Sequence, residues 1–438
     1  MVKKLFEPVD NSPLIVFRIL FGLLLFLESV GAIFTGWVKE VLIDPTFTFS
    51  FMGFEWLQPL PGYGMYFYYA AMGGAALLIL LGYYYRFGAA LFMVLWSGVY
   101  LMQKASYNNH YYLLILLCFW MLLVPANAAV SLDARRNPGI RTSVCPRWCH
   151  LVFIAQIGIV YFFATAAKIN PDWLQLKPIT IWFAHKTDYP IIGAFFATDA
   201  SKWLVAYGGI TFDFFIVPLL LWRKTRIPAF IVSIFFHLFN AVTFQIGIFP
   251  FLMIGISVFF FPGEQVRKLF FRNRPVEPQK VSYQGGTKEK IMLGILVTYF
   301  AVQIFLPLRH WGIKGDVNWT EEGHRMAWRM MLRTKSGSVY FNIKNADTGI
   351  SWRVYPKEHL TPDQVSKMGK SPDVMWQYVQ FLKKHYAQEG IPHIEVYAVS
   401  SVGLNGGARK PLVEPTVDLA QVPWNTFSHN EWVKLYED

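Results

Sequence analysis

The run Tyr161-Phe-Phe-Ala-Thr-Ala-Ala-Lys-Ile-Asn-Pro-Asp-Trp173 decides how this chain is read. It closes a stretch, 148–167, that is mostly apolar over roughly the 20 residues a helix needs to cross hydrocarbon. Lys168 stands at the end of that stretch. A lysine at that depth is costly unless it finds a partner or works as a neutral base, so it marks a candidate functional site. The bland alternative is an amine that snorkels to the headgroups and does nothing. Two other polar clusters, around His110 and His237, weigh against it because they fall at similar membrane depth.

The rest of the chain repeats the apolar pattern. Of 438 residues 54% are hydrophobic and 16% charged, well under the roughly 25% charge of a soluble domain. Nine candidate spans follow: 14–37, 63–83, 87–103, 111–132, 148–167, 203–222, 227–243, 247–261 and 291–308. The stretches 45–62 and 171–202, rich in aromatics, Pro and Gly, read as interfacial loops or half-helices. The first span lacks a small-residue cleavage site and reads as a retained helix. With the N-terminus inside, inner segments hold 17 basic residues and outer segments before the last domain hold 6. That asymmetry fixes the orientation and puts everything after Leu308 outside. It also accounts for the net charge of +12 without nucleic acid as a partner. Cys118, Cys145 and Cys149 make no disulfide framework, and Cys145-Pro-Arg-Trp-Cys149-His150 has the wrong spacing for haem attachment. No motif requires a metal.

The tail from Arg309 is polar. Period-two runs at 338–343 and 393–398 predict half-buried strands, and 372–388 predicts an amphipathic helix. The expected fold is therefore an α-helical polytopic membrane bundle of about nine spans, residues 1–308, followed by an extracytoplasmic α+β domain, residues 309–438.

In this topology Ser106-Tyr-Asn-Asn-His110 lies at the outer mouth between the third and fourth spans, and Lys168 at the outer end of the fifth. His237 sits midway along the seventh, with Asn240 three residues on and on the same face. Thr243 and Gln245 follow. Arg18, one turn inside its helix, is expected to snorkel, whereas Glu28 and Asp213 are deeper and should face the bundle interior. A desolvated lysine is a competent general base, and hydroquinones and enols are weak acids that suit it. An aromatic-lined bundle admits a hydrophobic ring compound better than a polar metabolite.

On Lys104-Ala-Ser-Tyr-Asn-Asn-His110, Tyr161-Phe-Phe…Lys168-Ile-Asn-Pro-Asp-Trp173, Phe236-His-Leu-Phe-Asn240, Ile246-Gly-Ile-Phe-Pro250 and Asn318-Trp-Thr…Trp328-Arg-Met-Met331, the chain resembles the vitamin K-dependent γ-glutamyl carboxylase family. That group shares a horizontally transferred transmembrane (HTTM) domain. The resemblance implies a shorter, bacterial-type homologue that uses reduced vitamin K or menaquinol, O2 and CO2 as co-substrates. It implies Lys168 as the base that deprotonates the naphthohydroquinone, His110 in the carboxylation half-reaction, and His237 near the quinone. Asn109 is implied as a hydrogen-bonding partner of His110; Tyr107, Asn240, Gln245 and Trp173 are further candidate quinone or substrate contacts. Its partners would be the bilayer, the quinone and a glutamate-containing peptide or protein. Two departures stand out: the animal enzyme has adjacent lysines where this chain has Ala167-Lys168, and an acid where it has Gln103. Two readings stand beside the carboxylase, a quinol epoxidase that carboxylates no peptide and a non-enzymatic membrane binding protein or transporter.

Overall fold

Each of the nine apolar segments forms a helix in the computed structural model, which describes residues 2–190, 192–244, 246–272 and 285–436. Seven are long and apolar enough to cross a membrane: α1 Ser12–Phe34, α2 Gly64–Leu81, α3 Tyr85–Met102, α5 Trp148–Lys168, α6 Asp199–Leu221, α7 Arg226–Phe244 and α10 Thr287–Leu308. The chain is an integral membrane protein. Its bundle exposes Phe34, Phe67, Phe235 and Phe305, as lipid-facing helices do and soluble ones rarely can.

The remaining two segments depart from a plain crossing. The span expected at 111–132 is the helix α4, Asn109–Leu123. It stops there because Pro125 pushes Val124 into extended backbone, with ψ 149°. Fifteen residues reach only about 22 Å, short of a full crossing of about 30 Å. The segment after α7 is broken: α8, Phe249–Ile256, continues as a tight turn to Phe260, then bends by 118° into α9, Gly263–Phe270.

The helices pack around one large apolar core. Phe17 of α1, Phe153 of α5 and Phe259 meet with ring centroids 4.6–5.3 Å apart. Gly22 lets α1 and α2 touch backbone to backbone, since a Cβ there would lie 2.5 Å from the Leu80 nitrogen. Arg18 does not snorkel as expected. It is 1% exposed and donates Nη2 to the Val130 carbonyl at 2.7 Å, because the 126–131 loop folds over the end of α1 and offers its carbonyl there.

Two antiparallel strands, β1 Pro8–Asp10 and β2 Val144–Pro146, tie the segment before α1 to the one before α5. The polar tail builds a three-stranded antiparallel sheet in the order β4-β3-β5, with β3 Lys335–Asn345, β4 Ser351–Val354 and β5 Ile394–Leu404. Phe341 and Ile343 alternate into its core opposite Ala398 and Val396, and Val339 and Val402 point into the same core, as the period-two pattern predicts. Helix α12, Pro372–Gln388, covers that face with Val374, Tyr378, Val379 and Leu382, preceded by the short α11, Pro362–Met368. This second core also takes in Phe49 from the α1–α2 connection.

A buried ion triad clamps tail to bundle. Asp373 at the start of α12 lies 2.6 Å from Lys104 and 2.7 Å from Arg325. Burial alone would raise the Asp373 carboxyl, but Arg325 and Lys104 hold it well below the usual carboxylate range. The Gln377 amide adds a hydrogen bond to the Ser50 carbonyl at 2.9 Å.

Candidate active site

Local chemistry explains why Lys168 ends where it does. The Asn170 side chain serves two helices at once: its Nδ2 donates to the Ala167 carbonyl at the end of α5, at 2.9 Å, and its Oδ1 accepts from the Trp173 backbone at 3.0 Å. Pro171 opens the short helix Pro171–Leu174, a position that suits a residue without an N–H. The turn thus fixes Lys168 and Trp173 together, and the Trp173 indole is pinned by donating to the Ala206 carbonyl at 3.2 Å.

Lys168 is neither snorkelling nor alone. Its Nζ is 2.5 Å from Asp213 Oδ2 on α6, with the two side chains 13% and 6% exposed, and 5.6 Å from the centre of the Trp173 ring. A carboxylate stands against the amine, and the deep acid Asp213 has found its partner. The other deep acid, Glu28, meets the Tyr111 hydroxyl and lines a separate, smaller cavity of about 220 Å³ on the far side of Tyr107.

His237 on α7 is 2% exposed. Its Nε2 lies 3.0 Å from the Tyr161 hydroxyl, and its buried Nδ1 has no partner. Phe212 and Phe236 meet the imidazole edge-on. His110 occupies the first turn of α4, held there by Asn108, whose side chain accepts from the Tyr111 backbone at 2.9 Å. Its ring stands between Tyr111 and Phe249.

Asn109 does not bond to His110 as the resemblance implied. It accepts from the Tyr107 hydroxyl at 2.8 Å and donates to the Arg329 carbonyl at 3.0 Å, because its position in the helix turns it toward the tail. The Tyr107 hydroxyl in turn accepts from the Met326 backbone at 2.5 Å. Those bonds hold a strained stretch: Met326, Trp328 and Met331 all have left-handed backbone, with φ of 57°, 56° and 49°. Three such residues so close together persist only where the surroundings over-determine them, and they concentrate at functional sites.

One cavity of about 460 Å³ gathers these groups, a size suited to a small-molecule ligand. Tyr107, Asn109, His110 and Lys168 line it, with Trp173, His237 and Asn240. Gln245 lies outside the described residues. The apolar wall is Val160, Phe236, Phe244 and Phe249. The opposite wall comes from the tail and is basic, carrying Arg329, Arg333, Lys335, Lys367 and Lys370. There Glu321 pairs with Arg333 at 2.6 Å, His324 at 3.3 Å and Lys335 at 3.7 Å. Burial would raise the Glu321 carboxyl, yet Arg333, His324 and Lys335 hold it far below the usual range. Burial brings Lys335 down to about 8 despite that partner.

Asp213, Tyr161 and the basic wall had no assigned role in the sequence reading. Arg329, Arg333 and Lys335 lie within seven residues of one another, and that clustering was the one signal for the wall. The cavity thus joins an acid–base pair and two imidazoles on an apolar side to a cationic side, an arrangement that can bind a ring compound and an anion at once and move protons between them.

Comparison with known families agrees over nearly the whole chain. Residues 6–264 match the HTTM domain, and residues 288–438 match the vitamin K-dependent gamma-carboxylase lumenal domain. No solved structure matches. The chain therefore belongs to the vitamin K-dependent gamma-carboxylase family, with an HTTM domain and that family's lumenal domain in one polypeptide.

Proposed function

We propose that this protein is a quinol-dependent, oxygen-using carboxylase of peptide glutamate, with Lys168 as its base and the sheet-bearing tail on the extracytoplasmic side. The observation that carries the reading is the Lys168–Asp213 pair at 2.5 Å, set in the same cavity as His110 and His237. The residues present fit a reduced naphthoquinone: Phe236, Phe244 and Phe249 offer ring surfaces, and the unpartnered Nδ1 of His237 offers a polar contact. When bound, that group would be oxidised by O2 and would so supply the strong base that the carboxylation needs.

What the chain supplies is placement and proton handling. The Lys168 amine is placed to take a proton from a hydroxyl of the ring, and Asp213, 2.5 Å away, keeps it aimed. The Tyr161 hydroxyl, 3.0 Å from Nε2, holds the tilt of His237. His110, with no hydrogen bond to a protein group among the described residues, is free to act on the peptide carboxyl or on CO2. The apolar wall limits water, which would quench a strong base.

The test supplies purified protein with reduced vitamin K, oxygen, labelled CO2 and a glutamate peptide, and reads both products. Label in the peptide together with quinol consumption is the expected result. Quinol consumption with no label in any peptide supports the epoxidase reading instead, and no consumption at all leaves a binding protein or transporter.

A further inference from the structure

Glu28 is an acid inside the bundle that the proposed chemistry leaves unused. It forms no ion pair among the described residues, and its side chain meets the Tyr111 hydroxyl. No lysine, arginine or histidine lines the cavity of about 220 Å³ on which it opens. Arg325 stands 6.0 Å from the Tyr107 ring, but it lines no part of this cavity and is paired with Asp373. A carboxyl group among apolar helices is costly unless it stays neutral or a cation completes it.

The walls around that carboxyl favour the cation. Six aromatic side chains line the cavity, and they meet as three angled pairs. Trp37, just beyond α1, and Tyr69 of α2 have ring centroids 6.1 Å apart at 52°. Trp96 of α3 and Tyr111 of α4 meet at 4.9 Å and 86°, and Tyr100 and Tyr107 at 5.9 Å and 60°. Rings turned at such angles offer their electron-rich faces from several sides, the arrangement that holds quaternary ammonium groups in aromatic cages. The Tyr100 hydroxyl gives a second sign of a ligand. Tyr100 lines the cavity and is 6% exposed, and its oxygen has no partner, a cost that a bound group would relieve. The volume falls below the roughly 300–1,000 Å³ of drug-sized sites, so a small headgroup suits it better than the ring compound assigned to the main cavity. Leu27 and Thr35, which also line it, are exposed. The cavity therefore opens along the side of α1, within reach of the bilayer.

We propose that this cavity is a second binding site, for a small alkylammonium cation, with Glu28 as its counter-charge, the angled rings as its cage and the Tyr100 hydroxyl as a hydrogen-bonding contact. The cation is either a free amine or the headgroup of an ethanolamine- or choline-bearing lipid. The site is opposite in character to the main cavity, where a basic wall suits anions. Tyr107 is the wall common to both. The inference goes beyond the carboxylase reading and stands or falls without it.

Binding of labelled choline to the full-length protein in a maltoside detergent tests this. Unlabelled choline and tetramethylammonium should displace the label. The uncharged carbon isostere of choline, with a tert-butyl group in place of trimethylammonium, should need a concentration at least about tenfold higher. That comparison uses the wild-type protein alone and so does not depend on any variant folding. Glu28→Gln, nearly the same in shape, should weaken choline binding about tenfold, and Trp37→Leu about fivefold. Choline should also raise the melting temperature of the wild type and not that of Glu28→Gln. Short-chain phosphatidylcholine and phosphatidylethanolamine identify the source. Displacement at lower concentration than free choline assigns a lipid headgroup, and displacement by the free cations alone assigns a soluble amine; either supports the site. Equal displacement by the isostere overturns it, as does choline binding that survives Glu28→Gln unchanged. Absence of saturable binding by choline and by both lipids overturns it as well.

Discussion

A carboxylate held 2.5 Å from Lys168 changes what single substitutions should do. Lys168→Ala removes the proton acceptor and leaves Asp213 buried without its cation. Quinol consumption should fall by about a hundred- to ten-thousand-fold, with partial rescue by a small added amine. Undiminished consumption in that variant rules the base assignment out. Asp213→Asn keeps the amine but frees its aim, so it should lower the maximal rate and shift the pH–rate profile more than it changes the quinol KM. A loss confined to KM would reduce Asp213 to a packing role. His110→Ala should cost more in carboxylation than in quinol oxidation, and equal losses in the two products would remove its separate role. The residue types and their rough depths were legible in the sequence. The Lys168–Asp213 pairing was not, because two residues 45 positions apart on different helices carry no local signal of their contact.

Among the elements, α12 and the turn before α4 are joined by the Asp373 triad rather than by apolar contact alone. Asp373→Asn leaves Lys104 and Arg325 as buried cations without a counter-charge, which should cost about 3–5 kcal/mol and lower the melting temperature of the tail. The pH dependence follows from the sign of the shift. Asp373 is held below its unfolded value of about 3.9, so its stabilisation is complete above pH 4 and is lost as pH falls further. Wild type and variant melts should converge as pH drops below about 4; a constant gap down to pH 2 contradicts the triad. The period-two strands and the α12 helix were readable from local pattern. The early end of α4 was marked by Pro125 and overlooked because hydropathy continues past it.

At the scale of the whole molecule, the proposed orientation, argued from charge asymmetry between loops, places the tail outside. A cysteine placed at Asp347, an exposed turn between β3 and β4, should react with an impermeant maleimide in intact cells or right-side-out vesicles. Cys145 and Cys149, buried near the opposite end of α5, should stay protected. Labelling seen only after permeabilisation reverses the orientation and moves the cavity to the inner leaflet. The tail also completes the site itself, since one whole wall of the cavity comes from it.

Hydrophobic runs of bilayer length are a one-dimensional property, and so are strand alternation and the punctuation of Asn170-Pro171. The helical character of the nine apolar segments, the α+β tail and the end point of Lys168 therefore follow from sequence order alone. Which charges meet is a three-dimensional property. Asp213 against Lys168, Asn109 against Arg329 and the basic wall above the apolar pocket depend on how helices and sheet pack, because a buried charge takes whichever partner the packing brings within reach.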